Sequence, residues 1–131
     1  MNPLIIIIDD DPVSSKIAEI SILRKTPHIR TLVFNNPLEA LNEITAEYGQ
    51  PQDAKEVLLL IDINMPEMNG WEFIESLDEQ IPFEGNNLKG IILSSSVDPS
   101  DIEKSKEYPR IVHYLTKPFT LETAMSIQQW I

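Results

Sequence analysis

The chain has 131 residues, of which 42% are hydrophobic and 24% charged, a formal net charge of -11 and no cysteine. This is the size and composition of one folded domain; it excludes a disulfide framework or thiolate metal site, and the acidic balance with only 10 scattered basic residues argues against a phosphate backbone as partner. The longest apolar runs, Leu4 to Ile8 and Val57 to Ile61, are too short to cross a bilayer, and the start does not read as a secretory signal, so the expected setting is the cytoplasm.

Leu4 to Ile8 is continuous and β-branched rather than alternating, which predicts a strand buried on both faces. Val13, Ile17 and Ile20, with Ala18 and Ile22 beside them, then recur at helical spacing, and that helix closes near Thr26-Pro27. Ile29 to Phe34 supplies a second strand. In Asn36-Pro37-Leu38-Glu39 a capping residue, a proline at the first helical position and a carboxylate in the first turn announce a helix, with Leu38, Leu41 and Ile44 as its buried stripe. Gly49 to Lys55 reads as a loop and "VLLLID" as a third buried strand. Asn69-Gly70 precedes a short helix, Trp71 to Leu77, and "DEQIPFEGNNLKG" reads as an extended connection into a fourth strand, "IILSSS". Asp98-Pro99 opens a further helix, Ile111 to Leu115 is a fifth strand, and Thr120 caps a last helix through Trp130.

Strands alternating with helices call for a parallel sheet covered on both faces, with no repeat or interdomain linker to suggest a second domain. Ligands of such sheets bind beyond the carboxyl ends of the strands. Strand one ends in Asp9-Asp10, strand three in Asp62, strand four in Ser94 and strand five in Thr116-Lys117. Four distant stretches therefore bring three carboxylates, a hydroxyl and an ammonium to one edge. Carboxylates about 4 Å apart repel by roughly 4 kcal/mol per pair at an effective dielectric near 20, so the cluster needs a cation or must take up protons. Magnesium suits it, since it takes hard oxygens and leaves positions for water and a phosphoryl group. Asp11 reads as a helix cap. An aspartate can also act as a nucleophile and form an acyl phosphate, for which Asp62 is the candidate, with Lys117 and Ser94 to stabilise the transferred group.

These blocks, "IIIIDDDP", "LLLIDINMPEMNGWEF", "IILSSS" and "YLTKPFT", in this order and at these intervals, resemble the receiver domain of two-component response regulators over nearly the whole chain. The resemblance implies one receiver domain over residues 1–131, a flavodoxin-like doubly wound α/β fold and a five-stranded parallel sheet of order 2-1-3-4-5. It implies that Asp62 is the phosphoacceptor and that Mg²⁺ is held by Asp10, Asp62 and the backbone carbonyl of Asn64, with Asp9 acting mainly through a metal-bound water. It gives Lys117 the role of contacting the phosphoryl group, Ser94 that of the switch hydroxyl and Tyr114 that of the aromatic that changes rotamer with it. The Lys117-Pro118 bond is expected to be cis. The phosphodonor would be a histidine kinase or histidine phosphotransfer protein, docking near Ser14 to Ile22, and the switched face that of helix four, strand five and helix five.

Ser95 and Ser96 depart from the commoner residues after the switch hydroxyl and read as polar loop. Trp71 and Trp130 read as packing residues, and His28 and His113 carry no partner motif. Two other functions compete. A Mg²⁺-dependent phosphatase of the haloacid-dehalogenase kind also uses a strand-end aspartate, but it needs a second carboxylate two residues on, where this chain has Asn64. A docking module independent of phosphorylation is the other. No output segment is expected after Ile131, and the sequence names neither kinase nor target.

Overall fold

The computed structural model describes residues 3–49, 57–85 and 88–131. Five strands, β1 (Leu4–Ile8), β2 (Arg30–Phe34), β3 (Val57–Ile61), β4 (Lys89–Ser94) and β5 (Ile111–Thr116), form one sheet of order β2-β1-β3-β4-β5. Every pairing is parallel. The helices between and after them are α1 (Pro12–Lys25), α2 (Pro37–Tyr48), α3 (Gly70–Gln80), α4 (Pro99–Ser105) and α5 (Leu121–Ser126), the last continuing as a 3-10 turn over Ile127–Trp130. This is the doubly wound order that the resemblance implied.

The strand side chains alternate between two cores, as the period of two requires. Leu4, Ile6, Ile8, Leu59, Ile61 and Ile92 pack against α2 and α3 on one face. Ile5, Ile7, Leu58, Leu60, Ile91 and Leu93 pack against α1 and α5 on the other. Continuous apolar runs are thus needed because both faces are covered. The caps are where the sequence puts them: Asp11 accepts from the Val13 N–H, Asn36 from those of Leu38 and Glu39, and Asp98 from that of Ser100. Asn69 and Glu72 form a reciprocal capping box on α3.

Several boundaries differ from expectation. The third helix runs to Gln80, through Asp78 and Glu79, because its capping box and the Ile74–Leu77 anchor carry it into the polar stretch. Strand four begins at Lys89 and ends at Ser94, so Ser95 and Ser96 belong to the loop. The last helix changes to 3-10 at Ile127. Of the expected α2 stripe, Leu41 and Ile44 are buried, with Ala40 beside them in the same core, whereas Leu38 is exposed. Residues 50–55 of the expected loop, and 86–87 of the expected connection, lie outside the described residues.

The largest difference concerns α1. Val13, Ile17 and Ile20 are 67%, 47% and 45% exposed, while Ser15, Ala18, Ser21 and Ile22 are buried. Two apolar stripes share one helix, and the smaller residues face the core.

Candidate functional site

The parallel register fixes the site. Ile8 pairs with Ile61 and the Asp62 N–H donates to the Ile8 carbonyl at 3.0 Å, so Asp9 and Asp62 leave the sheet side by side. Ser94 pairs with Thr116, and the Lys117 N–H donates to the Ser94 carbonyl at 2.8 Å, bringing the β5 end to the β4 end. The Lys117-Pro118 peptide is cis.

Asp9 and Asp62 are buried and Asp10 is half-buried. One carboxylate oxygen from each of the three lies within 4.8 Å of the others. The Lys117 ammonium donates to Asp9 Oδ2 at 2.9 Å and to Asp62 Oδ2 at 3.5 Å. Asp9 Oδ1 takes the Asp11 N–H at 3.0 Å, and Asp62 Oδ1 that of Asn64 at 3.3 Å. Burial pushes the Asp62 carboxyl up to about 6; Lys117 opposes this and the Asp9 charge reinforces it. Burial alone would lower Lys117, but its hydrogen bond and charge contact with Asp9, followed by those with Asp62, hold it raised and protonated.

A second group adjoins this one. The buried Ser94 hydroxyl accepts the Ser96 N–H at 3.1 Å, and the Tyr114 hydroxyl donates to the Ser96 carbonyl at 3.0 Å. The Ser96 hydroxyl donates to Asp101 Oδ2 at 2.6 Å, in the first turn of α4. Of the residues singled out from the sequence, Asp9, Asp10, Asp62 and Lys117 meet directly, Asn64 through its N–H, and Ser94 and Tyr114 through Ser96.

Two contributors, Ser96 and Asn35, escape a reading of the sequence, and a third, Gly70, is legible there only as part of a motif. Ser96 looked like polar loop, yet it joins Ser94, Tyr114 and α4. Gly70 stands where a Cβ would lie 2.6 Å from the Asp62 carbonyl oxygen and 2.9 Å from the Ile63 Cα, so only glycine lets α3 start this close to the β3 end. Asn35, just past β2, donates through Nδ2 to the Asp9 carbonyl at 2.8 Å and to the Ser15 hydroxyl at 3.1 Å. The signal available for Asn35 was its place: in a 2-1-3 order the residue after strand two must lie beside the end of strand one.

The arrangement offers carboxylate oxygens that could hold a hard cation, an aspartate able in principle to act as a nucleophile, and an ammonium bound to two of the carboxylates. The sequence model of the response regulator receiver domain matches residues 5–128. Among solved structures, a two-component response regulator from Cytophaga hutchinsonii is similar at 28% identity and a TM-score of 0.80, covering 98% of this chain and 95% of that one. The chemotaxis protein CheY4 of Vibrio cholerae, at 21% identity, a TM-score of 0.75 and 98% coverage of both chains, shares the fold. So does a response regulator from Thermotoga maritima, at 20% identity and 0.76, covering 100% and 98%.

Proposed function

The chain belongs to the response regulator receiver family, and from that premise we propose that residues 1–131 form a single cytoplasmic receiver domain in which Asp62 accepts a phosphoryl group from a phosphohistidine donor. Among the described residues no helix is long and apolar enough to cross a membrane. Receiver domains are signalling modules that generally bind Mg²⁺ at an acidic cluster, and the donor set here fits that ion: three carboxylates with oxygens inside 4.8 Å, all hard ligands. Asp10, Asp62 and the Asn64 carbonyl would hold it, with Asp9 behind. When bound, Mg²⁺ supplies positive charge to the carboxylates and to the phosphoryl oxygens.

The remaining work falls to the chain. An Asp62 carboxylate oxygen forms the new bond to phosphorus as the phosphorus–nitrogen bond of the donor breaks; the imidazole leaves with the electron pair and takes up a proton from water. Asp62 competes for this only while ionised, and Lys117 favours the ionised form. The Lys117 ammonium, 3.5 Å from Asp62 Oδ2, supports the charge on the transferred group. Phosphorylation adds nearly two negative charges. The Ser94 hydroxyl then turns to a phosphoryl oxygen, giving up the Ser96 N–H, and Tyr114 and α4 respond through Ser96, which changes the face that a target protein reads. The exposed α1 stripe, Val13, Ile17 and Ile20, is assigned to the histidine-containing donor; Val13 and Ile17 line a cleft with Pro118 and Phe119.

The observation that carries this reading is the Lys117 ammonium bridging Asp9 and Asp62 with Asp10 alongside. Intact mass after incubation with acetyl phosphate tests it. The expected result is a Mg²⁺-dependent gain of one labile phosphoryl group that Asp62→Asn abolishes. Labelling without Mg²⁺, or in Asp62→Asn, would refute it.

A further inference from the structure

Asp9 leaves β1 with both of its peptide groups tied to the end of β2. Its N–H donates to the Phe34 carbonyl at 3.0 Å, just past the β1–β2 ladder. Its carbonyl has no further strand to pair with, because the chain turns into α1; the Asn35 side chain takes that place, donating at 2.8 Å. The other Asn35 N–H goes to the Ser15 hydroxyl at 3.1 Å, whose own hydrogen goes to the Pro12 carbonyl at 3.1 Å. The amide orientation follows from chemistry, since a carbonyl can only accept and so must face the amide nitrogen. One side chain thus joins β2, the turn after β1 and the first turn of α1.

The carbonyl so held belongs to the peptide that links Asp9 to Asp10. Fixing this plane fixes where Asp10 leaves the chain relative to Asp9. Asp9 is itself pinned by Lys117 and the Asp11 N–H, whereas Asp10 depends on the backbone for its direction. We propose that Asn35, supported by Ser15, is a positioning residue for the acidic cluster: by clamping the Asp9–Asp10 peptide it sets the spacing of the carboxylates and hence their affinity for Mg²⁺. The inference rests on the proposed receiver site and adds to it a residue outside the cluster.

Calorimetric titration with Mg²⁺ alone, on the full chain, tests it, together with melting in EDTA. Asn35→Ala is expected to raise the Mg²⁺ dissociation constant about tenfold, at the low end of what outer partners of metal ligands are worth. Asn35→Asp has nearly the same shape and cannot donate when ionised. Added negative charge alone would tighten binding, so weaker binding in this variant marks positioning. Ser15→Ala keeps the Asp9 bond and is expected to lose about two- to threefold, on the same scale. A role in stability alone would lower the melting temperature in EDTA and leave the dissociation constant unmoved. Binding by Asn35→Ala within about twofold of wild type, or by Asn35→Asp at or above wild-type affinity, would overturn the inference and leave the site intact. If Asn35→Ala does not fold, Asn35→Asp decides by its own criterion. Failure of the wild-type chain to bind Mg²⁺ would overturn both the site and the inference.

Discussion

Asp62 is an acid whose folded state binds its proton more tightly than the unfolded chain does, because burial outweighs the help from Lys117. With the metal removed, stability is fullest below the unfolded value of 3.8, falls as pH rises through about 6 and stays reduced above it. At pH 7.5 in EDTA, Asp62→Asn is therefore expected to melt higher than wild type, by on the order of 1 kcal/mol or ~4 °C. At pH 4.5 the two should nearly coincide. A scan of melting temperature against pH checks this, and a wild-type protein more stable than the variant at pH 7.5 would show that Lys117 outweighs burial. The cluster itself was readable because strand ends in a parallel sheet converge by rule. The part played by Asn35 and the steric reason for the motif residue Gly70 were not: an asparagine in "FNNP" and a glycine in "MNGW" show their purpose only when the neighbouring backbone is placed 2.8 Å from an amide or 2.6 Å from an added Cβ.

Single helices show why periodicity found the elements and misplaced some faces. At 100° per residue, Val13, Ile17 and Ile20 lie on one side of α1, and Ala18 and Ile22 about 160° away, so the apolar pattern points both ways. The small Ser15, Ala18 and Ser21 go inward, where α1 lies close to the sheet, and the bulky stripe is left outside. If that stripe receives the phosphodonor, Ile17→Glu should slow transfer from a phosphorylated histidine phosphotransfer protein by about tenfold, as for loss of an apolar anchor in an interface. Labelling by acetyl phosphate, which needs no docking, should be unchanged; parallel time courses with the two donors separate these. Arg110, in "EYPRIV", carries no sequence signal that singles it out. Its guanidinium is fully buried, bonded to Asp78 at 2.8 Å, to the Leu88 carbonyl at 3.0 Å and to the Ile81 carbonyl, and it fastens the α3–β4 connection to the start of β5. Arg110→Ala leaves Asp78 and two carbonyls without this donor, and should cost about 3 kcal/mol or more in urea unfolding. A loss under 1 kcal/mol would mean that water replaces the guanidinium easily.

At the scale of the whole molecule, strand order was implied by the resemblance that the motifs carry, and the observed sheet has that order. The sequence already brings three carboxylates and one ammonium of a chain with net charge -11 to one edge; the structure adds their spacing, with carboxylate oxygens within 4.8 Å of one another and the ammonium bridging two of them. General self-repulsion is relieved by any salt through screening, whereas the local excess is relieved only by a cation that fits. Two contributions to stability should therefore separate. Sodium chloride is expected to raise the melting temperature of the wild type and Asp10→Asn alike. Mg²⁺ at ten times its dissociation constant should add about 1.4 kcal/mol by mass action, ~5 °C for a domain of this size, when compared at matched ionic strength. Asp10→Asn should lose most of that increment while starting from a higher melting temperature in EDTA, because one repelling charge is gone. Equal increments from Mg²⁺ and sodium chloride at matched ionic strength would mean that the cluster senses only the ionic atmosphere. An increment specific to Mg²⁺ and sensitive to Asp10 would place the cation among the strand ends, beside the Asp62 carboxylate proposed as phosphoacceptor.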